Sequence, residues 1–259
     1  MKGIEAFGAQ LEGRLARLGG DTGVLLRNLV TGETWRRGAD RPVNAASVIK
    51  LAVMIEAFRA QAAGELSLSE RHALADAERM PSCGTLKAMH TGIELTLLDL
   101  LKLMIIVSDN TATNILIDRL GMDGINRTLR ALGCTRTVLR RRLFDAEAAR
   151  RGLQNTITAA EIGHLLEGLH AGTIVSPEAS GQMLEILLDQ RLNGKLPFFL
   201  HGAGIRIAHK TGEDDGITHD VGIVYGDAPT IVCFVGEHVD VPVYERLMQD
   251  AARELFLSD

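Results

Sequence analysis

Short β-rich runs stand at the two ends of this chain, and most of the sequence between them follows a helical period. Near the amino end, Val24-Leu25-Leu26 and Glu33-Thr34-Trp35 flank Thr31-Gly32, which reads as a turn between two antiparallel strands. Near the carboxyl end, Gly204 to His209, Asp220 to Tyr225 and Thr230 to Val235 are three more such runs. Turns are expected between them at Gly212–Gly216 and Gly226–Pro229. Strands at both ends imply one sheet assembled from the two termini, with a helical lobe inserted between them. The expected division is 1–40 with 198–259 for the sheet lobe and 41–197 for the helical lobe. A cleft between two such lobes is a usual place for a small-molecule site.

The helical segments are set by apolar spacing. Ile4, Phe7, Leu11, Leu15 and Leu18 form one stripe, stopped by Gly19-Gly20. A second helix follows Ser47, with Leu51, Met54, Ile55 and Phe58 on its apolar face and Gly64 at its end. Further helices are expected over Thr96 to Val107, Ala112 to Leu120, Thr158 to Leu169, Pro177 to Leu188 and Val243 to Leu257.

Composition removes several classes of function. A net charge of −5 gives no electrostatic reason to bind nucleic acid or an anionic membrane surface. Arg140-Arg141-Arg142 is local and lies beside Asp145 and Glu147, as on a solvated face. Three cysteines, Cys83, Cys134 and Cys233, cannot all pair, and no Cys/His spacing suits zinc. No metal or cofactor is implied. No apolar stretch has the length of a transmembrane helix. The chain opens without a basic segment followed by an apolar core, so the expectation is a cytoplasmic protein, or else the mature form of an exported one.

Three short motifs occur in order: Ser47-Val48-Ile49-Lys50, Ser108-Asp109-Asn110 and Lys210-Thr211-Gly212. Average residue usage gives about one chance match to the first in a chain this long, and fewer than about one in ten chains for each tripeptide. Each motif alone has an ordinary reading: a helix N-cap, a polar helix connection, a strand-end turn. Together, in that order, they form the serine, lysine and second-serine set of acyl-transfer enzymes.

The chemistry follows from their placement. A serine at a helix start has an unpaired N–H that favours a developing oxyanion. Lys50 lies one turn along on the same face, within reach of the Ser47 hydroxyl. An amine acts as base only when its pKa falls, and a second cation, Lys210, would help lower it. Ser108 ends an apolar helix, where it suits a proton relay to the leaving group, and Asn110 would point an amide at substrate. Asp109 reads as structural, accepting backbone N–H bonds in its loop.

With these residues the sequence resembles class A β-lactamases and the wider penicillin-recognising serine hydrolases. The likeness runs through Asn44-Ala-Ala-Ser-Val-Ile-Lys50, Leu95 to Leu100, Met104 to Asn114, Ala208-His-Lys-Thr-Gly212 and Gly216 to Val224. It implies an α/β sandwich: a five-stranded antiparallel sheet flanked by helices, plus an all-helical lobe. It also implies an acyl-enzyme on Ser47, with the oxyanion held by the N–H groups of Ser47 and Glu213. The substrate carboxylate would be received by Lys210 and Thr211, with Thr218 or His219 as further candidates, and Gly212 would line the cleft floor. One departure stands out. The family carries a glutamate in an Ω-shaped loop, followed shortly by an asparagine, and the two hold the deacylating water. Here Arg142 to Ala149 offers Asp145 nearest that place, Glu147 as the other candidate, and no such asparagine, while the loop-steadying Asn114 is present. The expected activity is β-lactam hydrolysis by a monomer. The alternatives are an esterase or peptidase acting on another acyl substrate, or a penicillin-binding protein that deacylates slowly.

Overall fold

The computed structural model describes residues 3–257. Helix α1 (Ile4–Leu15) leads into the hairpin of β1 (Asp21–Asn28) and β2 (Thr34–Arg37), then a two-residue strand β3 (Val43–Asn44). A 3-10 turn over Ala46–Ile49 runs directly into α2 (Lys50–Ala62). The helical region continues through two short strands, β4 (Arg71–Ala73) and β5 (Glu94–Thr96), which pair with each other. Next come α3 (Leu97–Ile106), α4 (Asn110–Leu120), α5 (Met122–Ala131) and the single-turn α6 (Ala146–Arg150). After β6 (Thr156–Ile157), which pairs with β3, α7 (Ala159–His170) and α8 (Pro177–Leu188) lead back to the sheet. The chain ends with β7 (Arg206–Asp214), β8 (Ile217–Tyr225), β9 (Pro229–Glu237) and α9 (Val241–Phe256).

The sheet has five strands in the order β2-β1-β9-β8-β7, all antiparallel. The two ends of the chain meet where β1 pairs β9, Leu25 opposite Cys233. Strand alternation explains why β1 and β9 read as nearly unbroken apolar runs: both faces are buried. Val24, Leu26, Val232 and Phe234 pack under α1 and α9, with Phe7, Leu11, Tyr244 and Met248. Leu25, Ile231, Cys233 and Val235 point the other way, into a larger core shared with α2, α3, α7 and α8. Ala208, Val221 and Ile223 lie in that second core, so the β7 side chains of that parity face the helical lobe.

Two expectations shift. The turn expected at Gly212–Gly216 is shorter, because β7 stays paired to β8 as far as Asp214 opposite Ile217. The Lys210-Thr211-Gly212 motif is therefore a buried stretch of the last strand of the sheet, not a turn. Ser47 likewise sits in the 3-10 turn, three residues before the start of the α-helix at Lys50.

Candidate active site

Three elements converge below a cleft of about 490 Å³ between β7 and the helical lobe. The 3-10 turn presents Ser47, which lines the cleft. Lys50, the first residue of α2, is buried beneath it. Its Nζ makes three hydrogen bonds: to Ser108 O (2.8 Å), Ser108 Oγ (2.9 Å) and Asn110 Oδ1 (2.9 Å). Lys210 reaches the same hydroxyl from β7, its Nζ 3.1 Å from Ser108 Oγ and 2.8 Å from Thr211 O. Ser108 is thus the shared partner of two buried lysines. Burial, then the neighbouring Lys210 charge, holds the Lys50 pKa well below its ordinary value. Burial, then Lys195, brings that of Lys210 down to about 7.

Close approach between β7 and the Ser47 turn requires a glycine at 212. A Cβ there would lie 2.8 Å from His219 Cδ2, 3.2 Å from Val48 Cγ2 and 3.3 Å from Ala46 Cβ. Backbone strain gathers at the same place. Ala46, Ser82, Ser108 and Phe144 are four of the six described non-glycine residues with positive φ, and all four line or underlie the cleft. Such conformations cost of order 1–3 kcal/mol each and persist where surrounding contacts over-determine them. For Ser108 that support comes from Asp109, whose carboxylate accepts N–H bonds from Thr85, Leu86 and Ala112.

The wall facing Ser47 comes from residues 141–155. Asn114 clamps it, accepting from Leu143 N (2.9 Å) and donating to Leu143 O (3.0 Å). Leu143 and Phe144 line the cleft as apolar side chains. Asp145 lines it too, but its Oδ1 accepts the Ala148 N–H at 2.9 Å and so caps α6. Glu147 is exposed and lies outside the cleft lining.

The model of the Beta-lactamase enzyme family matches residues 6–256. The chain belongs to that family. Similarity to individual members agrees with this. A β-lactamase of Rhodobacter capsulatus is 28% identical over 197 residues, covering 74% of this chain and 66% of the relative. The crystal structure of a β-lactamase from Sphaerobacter thermophilus is 33% identical, with a TM-score of 0.86 over 98% of this chain and 95% of that one. PBP-A is 28% identical, with a TM-score of 0.87 over 97% and 94%. An ancestral class A β-lactamase, 24% identical with a TM-score of 0.87 over 96% of this chain and 98% of that one, shares the fold.

Against that family background, the candidates read from sequence fall into three groups. Ser47, Asn110, Asp145 and Glu213 line the cleft. Lys50, Ser108, Lys210 and Gly212 form its buried floor and side. Glu147 points to solvent, and Thr211 is buried on the alternate face of β7 from Lys210. Thr218 and His219 are also committed elsewhere. Thr218 Oγ1 donates to Glu245 (2.8 Å), and the His219 ring is fixed between two backbone partners. It accepts from Gly236 N at Nδ1 (3.0 Å), so its proton is on Nε2, donated to Asn44 O (2.8 Å). Burial lowers its pKa to about 4, which keeps the ring neutral.

Three contributors were not among the site candidates read from the sequence, which placed Arg141 on a solvated face. Arg141 lines the cleft. Asn155 also lines it, ten positions after Asp145, so an asparagine does reach this wall from further along the chain. Its amide binds the backbone of Arg140 and Arg141, which fixes the loop. Lys195 lies behind β7, 3% exposed, donating to Gly212 O (3.1 Å) and His219 O (3.2 Å). An isolated lysine in a loop carries no sequence signal for such a role. Among the described residues no helix is long and apolar enough to cross a membrane.

Proposed function

We propose that the protein is a serine hydrolase that opens β-lactam rings through an acyl-enzyme on Ser47. The observation that carries this reading is the Lys50–Ser108–Lys210 array directly beneath Ser47. A neutral Lys50 has two N–H groups and one lone pair. Ser108 O and Asn110 Oδ1 take the two N–H groups, and the lone pair then faces the Ser108 hydroxyl 2.9 Å away, which couples Lys50 and Ser108 as one proton-accepting pair. Ser47 Oγ attacks the lactam carbonyl and its proton passes to Lys50. The ring C–N bond then breaks, and Ser108 gives its proton to the departing nitrogen and recovers one from the protonated Lys50, 2.9 Å away, while Lys210 holds the same hydroxyl in place. Water hydrolyses the resulting ester.

The second half-reaction is the weaker one in this reading. Of the two carboxylates offered by the 141–155 wall, Asp145 takes the water-activating role, since Glu147 is outside the cleft. One of its oxygens is spent on capping α6, and aspartate is one methylene shorter than glutamate. A misplacement of about 1 Å costs on the order of 100-fold in rate. We therefore expect rapid acylation and slow release. We propose a monomer, with 1–40 and 198–259 as the sheet lobe and 41–197 as the helical lobe.

Mixing the protein with a chromogenic cephalosporin and following absorbance tests the reading. A stoichiometric burst followed by slow turnover is expected. No burst and no turnover would refute β-lactam ring opening.

A further inference from the structure

The oxyanion donors that the family resemblance implies, the N–H groups of Ser47 and Glu213, stand on separate elements: one on the 3-10 turn, the other on β7. Something must set the gap between them. Every backbone N–H leading up to Ser47 is already taken. Asn44 N donates to Glu237 Oε2 (2.9 Å), Ala45 N to Asn155 O (2.8 Å) and Ala46 N to Asn44 Oδ1 (3.1 Å). The 3-10 ladder itself begins one residue after Ser47, where Val48 N donates to Ala45 O (3.0 Å).

In a 3-10 ladder the Ser47 N–H would go to the carbonyl three residues back, which is Asn44 O. That carbonyl instead accepts the Nε2 proton of His219 (2.8 Å), and among the described residues no partner takes the Ser47 N–H. His219 is fully buried on β8, directly opposite Gly212 of β7 and Val235 of β9. Its Nδ1 accepts from Gly236 N (3.0 Å), which anchors the ring to β9. Its Cδ2 edge lies against Gly212, so closely that a Cβ on residue 212 would sit 2.8 Å from it. One ring therefore touches the residue before Glu213 and the carbonyl that would otherwise occupy Ser47.

We infer that His219 is a positioning residue for acylation: it holds Asn44 O away from the Ser47 N–H and sets the distance from that N–H to the one on Glu213. The ring never meets the substrate. It acts through two backbone segments that do. The inference rests on the reading of Ser47 as the acylated nucleophile.

The test uses His219→Phe, which keeps a ring and loses both hydrogen bonds, and His219→Gln, whose amide offers one acceptor and one donor at a spacing like that of the two imidazole nitrogens. Acylation by benzylpenicillin is followed by intact mass. The ester carbonyl of the acyl-enzyme is followed by infrared difference spectroscopy, with carbon-13 at the lactam carbonyl. Hydrogen bonds from an oxyanion hole weaken the C=O bond and lower its stretching frequency, which a loss of stability alone does not alter. His219→Phe is expected to slow acylation on the order of 100-fold, as for a misplaced or missing oxyanion donor, and to raise the carbonyl frequency. His219→Gln is expected to return both most of the way. Circular dichroism reports whether each variant folds. If His219→Phe does not, His219→Asn replaces it: its shorter side chain keeps the acceptor for Gly236 N and loses the reach to Asn44 O, and the same upward shift is expected. A folded His219→Phe, or His219→Asn in its place, with the natural carbonyl frequency and acylation within about twofold overturns the inference and leaves the nucleophile in place. A natural protein that forms no adduct overturns the nucleophile reading and this inference with it.

Discussion

The floor of the cleft and the wall above it are built on different principles. The floor is made of side chains projected from regular elements: Ser47 and Lys50 from one continuous turn and helix, Lys210 from a strand, Ser108 from a strained corner that Asp109 supports. The buried Lys50 and Lys210 Nζ groups and the Ser108 hydroxyl are bonded to one another, the two lysines sharing that one hydroxyl. The wall at 141–155 is a loop with one short helix, held by Asn114 and Asn155 through backbone bonds. It presents Leu143 and Phe144 to the cleft, and a carboxylate that doubles as a helix cap. In the proposed reading, the difference teaches that acylating groups fixed by helix and strand can sit beside a deacylating carboxylate held only by a loop. Acylation needs groups fixed by elements; deacylation needs one group fixed by a loop.

The largest effects are expected from the floor. Ser47→Ala should abolish covalent labelling by β-lactams. Lys50→Ala should slow acylation by several orders of magnitude, because nucleophile and base act as a unit. Stopped-flow absorbance measures the second; acylation near the natural rate would mean another base is at work, and the contrast between floor and wall would collapse.

The floor also has a pH signature. The folded pKa of Lys210 is about 7, below its ordinary value. Between pH 7 and about 10.5 the unfolded chain holds a proton there that the folded protein has released, so stability rises with pH across that window by up to about 1.4 kcal/mol per unit. Below pH 7 both states are protonated, and the full cost of burying the charge is felt. Lys210→Met should therefore raise thermal stability more at pH 6 than at pH 9, while weakening acylation at both. An equal shift at the two pH values would contradict the buried-cation account.

Smaller effects are expected from the wall. Asp145→Asn keeps an N-cap of similar quality, so stability should change by less than about 0.5 kcal/mol, whereas Asp145→Ala should cost about 1 kcal/mol. Both should lengthen the life of the acyl-enzyme, by about tenfold or more if the carboxylate positions water. Glu147→Gln should leave that lifetime within about twofold, as expected for a surface substitution. Decay of the adduct followed by intact mass separates these outcomes. A longer lifetime in Glu147→Gln and none in Asp145→Asn would reverse the assignment.

The same contrast explains what could be read from the sequence. The floor was legible because short-range spacing determines it: three residues from Ser47 to Lys50 is one turn of helix whatever else the chain does. The apolar runs at Val24-Leu25-Leu26 and Thr230 to Val235 identified β1 and β9, since strands buried on both faces have few alternatives. Lys210-Thr211-Gly212 was legible as a motif and misplaced as a turn. Its glycine serves close packing against Val48 and Ala46, and local sequence cannot tell that from a turn glycine. The wall was the least legible. Asp145 and Glu147 stand two apart in sequence, and only the cap to Ala148 and the clamp on Leu143 decide which one faces the cleft. Lys195 left no trace at all, because its partners on β7, β8 and α9 are brought to it by the fold.

The most direct test of the central claim is the intact mass of the protein within seconds of adding benzylpenicillin and again after an hour, alongside Ser47→Ala. The account predicts prompt gain of one whole β-lactam mass, located by peptide mapping to Ser47, still substantially present at the later time, and no gain in Ser47→Ala. Labelling that survives Ser47→Ala, or a natural protein that neither gains mass nor consumes the antibiotic, would contradict it.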